Sequence, residues 1–218
     1  VGAAAAFATA GNGTELLLER AELTRGEGVL RADGEAGSLV LGLTARTTPL
    51  AFETGAASSV QLQSVGVSAS LGSTAGAEHG FEGEGVSWIL EGEDASGSLR
   101  TMWALAPSGL LAIFALRAAD AADHGAETIG AVRIAADGAV CAFDEPLVST
   151  EYDGQGRQTR ATLELWGGEG DGMAERGGGR RLVGGTAHAP GGELEAARFA
   201  WSVGGAPARG AYEIFNAA

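Results

Sequence analysis

Apolar and polar residues alternate along much of this chain, and short apolar runs recur roughly every 10–15 residues between glycine-bearing turns. Gln158, Arg160, Thr162 and Glu164 alternate with Thr159, Ala161, Leu163 and Leu165, the signature of a sheet wet on one side. Leu110 to Leu116 is apolar on both faces and therefore belongs centrally. Leu99 to Leu105 is similar, interrupted by Arg100. The same reading predicts strands over 14–22, 29–31, 38–45, 59–71, 81–91, 128–135, 139–152, 181–188, 197–203 and 211–215. Between them, Asp137-Gly138, Asp153-Gly154-Gln155-Gly156, Gly191-Gly192 and Gly204-Gly205 place glycine where hairpin turns need a positive φ. About a dozen strands joined by hairpins, without crossover helices, make the chain all-β. The prediction is an antiparallel meander forming a barrel, or two packed half-barrels or a sandwich.

Three segments stand apart from that pattern. Ala118 to Ala126 reads equally as one short helix or as a loop. The polar stretch 92–98 breaks the chain near its middle. The whole of 1–218 is then either one continuous β domain or two related halves, 1–92 and 98–218, each short for an ordinary eight-stranded barrel. Residues 167–179 hold so much glycine that they read as a long exposed loop, with a binding-site lid as the alternative.

Composition narrows the function classes. Among 218 residues, Lys+Arg number 14 and Asp+Glu 28, a formal net charge of −14. Such a chain repels phosphates and lacks the basic stripe that nucleic-acid binding needs. Its 45% hydrophobic and 19% charged residues are enough to bury a core, which argues against disorder. No apolar run approaches the roughly 18 residues of a membrane-spanning helix. The single Cys141 excludes an internal disulfide and fits a cytoplasmic location. His79, His124 and His188 lack metal-ligand spacing, so neither a metal nor a cofactor is expected.

Several constellations could carry chemistry. Glu82, Glu84, Val86, Trp88 and Leu90 share one face of a strand by period two. Pointing inward, that face desolvates a glutamate beside Trp88 and raises its pKa toward a general acid; pointing outward, it is ordinary solvated surface. His124 and Glu127, three residues apart beside an apolar strand, could form an acid–base pair or merely a surface bridge. Tyr152 stands at a hairpin where Asp153 stabilises the turn. Trp88, Met102, Trp103, Phe114 and Trp201 either pack a core or line an apolar cavity whose rings steady a cation. Met102, Trp103 and Phe114 are the first-choice wall.

The segments Gly85-Val86-Ser87-Trp88, Leu99 to Leu105, Gly109 to Arg117, Thr150 to Gln158, and Phe199 to Gly205 closing on Gly210-Ala211-Tyr212-Glu213 resemble the lipocalin-like superfamily, which implies that the meander forms a lipocalin-like barrel. That superfamily includes carotenoid 1,2-hydratases, certain Diels–Alderases and bacterial relatives. The resemblance implies calycin-like β units with an apolar cavity for isoprenoid or polyene molecules. This chain is short for a two-barrel member and has only Glu78-His79-Gly80-Phe81-Glu82 where relatives carry a His/Asp-rich segment, so no catalytic residue carries over.

Three readings follow. In the first, an apolar-cavity enzyme hydrates or cyclises an isoprenoid or polyene, with Glu82, Glu84 or Glu127 as the acid. In the second, a carrier holds a small lipophile unchanged. A structural protein whose apolar strands bury a partner is the third. A carboxylate facing into the cavity favours the enzyme, and an all-apolar cavity favours the carrier.

Overall fold

A computed structural model describes residues 2–9, 15–26, 29–34, 37–54, 59–73, 78–91, 97–119, 121, 126–167, 173–189 and 192–217, with side chains placed for most positions from 37 onward. Every sheet pairing whose register is resolved is antiparallel. Among the described residues there is no helix, so the all-β reading holds. None of the described residues forms a helix long and apolar enough to cross a membrane.

The chain divides into two compact units, 1–96 with 185–194 and 216–218, and 97–184 with 195–215. In the first, β1 (Gly2–Thr9), β2 (Glu15–Gly26), β3 (Val29–Gly34), β4 (Gly37–Ala45), β5 (Leu50–Glu53), β6 (Ser59–Ser73) and β7 (Glu78–Glu91) form one sheet. The long β6 organises it. One edge of β6 pairs with β5 at Ser59–Leu62 and then with β4 from Val65 to Ser73, while its other edge pairs with β7 along nearly its whole length. Buried side chains change face along β6. Val60 and Leu62 are buried on one side, Val65, Ala69 and Leu71 on the other.

The second unit is built on β8 (Gly97–Ala106), β9 (Gly109–Ala118), β10 (Thr128–Ala135), β11 (Val140–Phe143), β12 (Glu145–Tyr152), β13 (Gln158–Trp166), β14 (Met173–Ala189), β15 (Gly192–Val203) and β16 (Ala206–Ala217). They follow the order β11-β10-β9-β8-β16-β15-β14-β13-β12 in a nearly closed nine-stranded barrel. Alternate residues of successive strands fill its interior: Met102, Ala104, Leu111, Ile113, Ala131, Ala161, Leu163, Leu165, Ala197, Phe199, Trp201, Val203, Tyr212 and Ile214. Leu110, Ala112, Phe114 and Val132 are buried on the opposite face, which explains why the Leu110–Leu116 segment is apolar on both sides.

The structure corrects two expectations. The predicted strand 139–152 is two strands, β11 and β12, separated by Asp144. The predicted 167–179 loop is strand from Met173 onward, paired with β13. Glycine is what makes that strand possible. Gly179 lies under the Trp201 ring, where a Cβ would collide with it, and at Gly177 a Cβ would be in tight contact with the Ser202 carbonyl and Leu163.

Gly210 is tighter still, because a Cβ there would strike the backbone carbonyl of Trp103 on the neighbouring β8. A main chain held in a sheet cannot yield as a side chain can. Gly210→Ala is therefore expected to destabilise the protein by about 3 kcal/mol, read as a lowered urea midpoint at unchanged slope. An unchanged midpoint would show that the β8–β16 pair can spread at no cost.

The β12–β13 hairpin is held by Asp153. Its carboxylate accepts the backbone N–H groups of Gln155 and Arg157 at 2.9 and 3.0 Å and the Arg157 Nε–H at 2.9 Å. The backbone bond from Arg157, followed by its side-chain bond, pulls the Asp153 pKa down to about 2. A depressed carboxylate pKa contributes stability above the unfolded value of roughly 4 that is lost as pH falls through the folded one. Asp153→Asn is thus expected to be less stable than wild type at neutral pH, with the gap closing between pH 4 and 2. Parallel denaturation curves across that range measure it.

Candidate functional site

Period two along each barrel strand decides which polar residues face inward. On β15, Glu195 is in phase with Ala197, Phe199, Trp201 and Val203; on β14, Arg181 is in phase with Gly179 and Gly177. Arg100 shares the face of Met102 and Ala104 on β8, and Tyr212 that of Ala208 and Ile214 on β16. All four charged or phenolic groups thereby meet at one end of the barrel.

They form a connected band. Arg100 Nη2 donates to the Glu127 carboxylate just ahead of β10. Arg100 Nη1 reaches the Tyr212 hydroxyl at 3.3 Å and Thr150 Oγ1 at 3.4 Å, and those two oxygens are 2.7 Å apart. The Gln158 amide nitrogen donates to the Tyr212 carbonyl at 3.2 Å. Arg181 Nη1 donates to the Gln158 carbonyl at 3.4 Å and to Glu195 Oε1 at 2.8 Å. The band runs Glu127–Arg100–Tyr212–Gln158–Arg181–Glu195. At the opposite end, the interior carries a second pair, Arg133 with Glu175.

Burial sets the protonation chemistry. Tyr212 is fully buried, and desolvation pushes its pKa up to about 12, so its hydroxyl remains a proton-bearing donor. Desolvation also raises the Glu195 carboxyl above the ordinary glutamate range, against the pull of Arg181. Behind the band, Phe199 stacks on Trp201 at 5.2 Å between centroids and tilts against Tyr212 at 5.5 Å, so the band rests on a packed aromatic cluster.

Of the residues singled out from sequence, Glu127, Met102, Tyr152 and Trp201 belong to this barrel end or the interior behind it. Tyr152, 49% exposed, stands within electrostatic reach of Arg100 and Tyr212. Trp103 and Phe114 lie on the other face of β8 and β9, so the wall expected from Met102, Trp103 and Phe114 is divided between two faces. Glu82 and Glu84 are exposed on β7 in the first unit, Glu84 paired with Arg46 at 2.8 Å, and Trp88 is half-buried farther along that strand. Glu82 borders an open groove of about 670 Å³ lined by Val29, Val40, Gly42, Ser68, Ala69 and Ser70. His124 lies outside the described residues.

Arg100, Thr150, Gln158, Arg181, Glu195 and Tyr212 escaped the sequence reading. The available signal was a charged or polar residue in phase with an apolar face, plain at Arg100 and at Glu195-x-Ala197-x-Phe199-x-Trp201. Glu213 escaped it as well. On the face opposite the barrel interior it accepts the Thr101 hydroxyl at 3.0 Å, Thr101 lies across from Phe114, and burial raises its pKa.

No family model matches this chain, and no curated protein matches it by sequence. Among solved structures it is similar to kievitone hydratase from Nectria haematococca, at a TM-score of 0.50 and 12% identity, over 91% of this chain and 64% of that one. The chain therefore spans less than two thirds of that protein's length. What the likeness shows is the fold alone, an all-β chain bearing a barrel.

Proposed function

We propose that this protein is a hydratase-type enzyme that adds water to an alkene of an isoprenoid or polyene lipophile at the polar end of the nine-stranded barrel. The observation that carries the reading is a pair of carboxylates at one end of the barrel, Glu127 and Glu195, next to the packed rings of Phe199, Trp201 and Tyr212. A carrier needs no acid there. Hydration needs a proton donor, a base and a site that tolerates a cation.

Glu195, its carboxyl raised by burial, gives its proton to one alkene carbon. The ring faces steady the resulting carbocation. A water held by Tyr212 and Glu127 attacks the other carbon through its oxygen, and Glu127 takes the proton it releases. H and OH have then been added across the double bond, and exchange with solvent returns one proton to Glu195 and removes one from Glu127. The likeness to kievitone hydratase supports the fold on which this chemistry is placed, while the substrate class rests on the resemblance in sequence texture.

The test is incubation with acyclic isoprenoids and polyenes in ¹⁸O-labelled water. The expected product carries one labelled oxygen. A second reading is favoured by the open groove beside Glu82, whose Val29, Val40 and Ala69 could hold a lipophile without changing it. Recovery of bound but unaltered lipophile in every case would establish that carrier reading and overturn the hydratase.

A further inference from the structure

Strand register fixes the lining of the open groove in the first unit. Glu82 on β7 pairs with Ser68 on β6, Ser68 with Gly42 on β4, and Gly42 with Val29 on β3, one row across four strands. The row beside it runs Gly80, Ser70, Val40. Together they border the groove, whose volume of about 670 Å³ lies within the range of small-molecule sites. Glycine hollows it. A Cβ at Gly42 would fall on the Ser68 hydroxyl, and at Gly80 the nearest atom to a Cβ is a backbone oxygen at 3.9 Å. The trough therefore grades from valine on β3 and β4, through serine, to a carboxylate on β7. Arg31, next on this face of β3, makes an interaction of its own and does not border the groove.

The chain itself shows what the carboxylate end accepts. One row further along the same face, Gly66 pairs with Glu84. There Arg46 lies across the glycine, its Nε 3.1 Å from where a Cβ would stand, and its Nη1 is 2.8 Å from Glu84 Oε1. Glu82 presents the same carboxylate at the end of the trough, yet among the described residues no cation pairs with it. We infer that the groove binds a small cationic amphiphile, a lipophilic amine whose ammonium takes at Glu82 the place that Arg46 takes at Glu84. The ammonium donates to the Glu82 carboxylate and to Ser68 Oγ, and the chain lies along the trough toward Val40 and Val29. Three inter-strand spacings separate β7 from β3, about 14 Å, the reach of a medium-length alkyl chain. The formal charge of −14 draws such a cation in and repels a fatty acid. The inference is independent of the barrel-end chemistry. It rests on the carrier reading of the groove and narrows that reading from lipophiles in general to amines.

Isothermal titration calorimetry of the full chain with decylammonium, decanol and decanoate at physiological ionic strength tests it. Decylammonium is expected to bind at least about threefold more tightly than decanol, and decanoate more weakly than either. Glu82→Gln is expected to bring decylammonium to within about 1.5-fold of decanol and to leave decanol unchanged. Gly80→Leu, which fills the trough, is expected to weaken both at least about tenfold. Both positions are exposed, so the variants are expected to fold. Equal binding of decylammonium and decanol by wild type overturns the inference and leaves a carrier of neutral lipophiles. A preference that survives Glu82→Gln overturns it too, because the cation then answers to the surface as a whole and not to this carboxylate. Unchanged binding in Gly80→Leu would put the ligand outside the groove and sink the proposal. If none of the three binds, the carrier reading falls together with the inference. The labelled-water experiment at the barrel end is decided separately from all of these.

Discussion

Replacing Glu195 by Gln is expected to lower turnover by about 10²–10⁴-fold, the range over which a positioned general acid contributes. The amide keeps the shape of the carboxyl and can still accept from Arg181, so packing and ligand binding are retained while the transferable proton is lost. The expected signature is a fall in kcat with KM little changed. The pH profile is a second readout. Glu195 works protonated, and burial raises its pKa, so activity should decline with rising pH from an inflection above the ordinary glutamate range. Because Arg181 favours the charged form, Arg181→Met is expected to move that inflection upward. Glu213 is the other carboxyl raised by burial, yet it lies on the outer face of β16, so Glu213→Gln should leave kcat within about twofold if the acid is inside the barrel. Full loss in Glu213→Gln with retention in Glu195→Gln would move the chemistry to that other face.

Arg100→Met is expected to destabilise the fold by about 3–5 kcal/mol. The Arg100 and Glu127 side chains are only 13% and 18% exposed, so truncating the guanidinium leaves a carboxylate with little water and no counter-charge. It also removes a donor to the Tyr212 and Thr150 hydroxyls. The double variant Arg100→Met/Glu127→Leu should recover much of the loss, since an apolar pair of similar volume has no desolvated charge to satisfy. The contrasting case is Arg46–Glu84, whose side chains are 55% and 41% exposed; Arg46→Met should cost less than about 1 kcal/mol. Urea denaturation of these variants gives the comparison. Equal losses from Arg100→Met and Arg46→Met would mean that the barrel end is as wet as the open sheet.

Much of the fold was legible because sheet burial is written with period two. The 159–166 alternation, the doubly apolar 110–116 run and the glycines at 138 and 156 each correspond to a structural feature: a barrel wall, a strand buried on both faces, and tight hairpins; Gln158, read as part of the wet face, is instead fully buried. Gly177 and Gly179 misled for a related reason. Glycine in isolation reads as freedom, and only the Trp201 ring, contributed by a strand more than twenty residues away, shows that it marks close approach.

The site was less legible. Glu127 could be singled out beside an apolar strand, Tyr152 at a hairpin entrance, and Met102 and Trp201 as core or cavity side chains, yet their sequence neighbours gave no partner for them. Arg100 meets Glu127 across 27 residues and Tyr212 across 112, and no local pattern encodes such distances. By itself the sequence determined that strands form, which residues share a face of each, and that −14 units of charge and one cysteine leave a narrow set of functions. The tertiary structure alone decided which faces became the inside of the barrel and which charges were thereby desolvated and paired. The physical reason is that alternation is a local property of an extended backbone, whereas desolvation depends on every strand that closes around a residue.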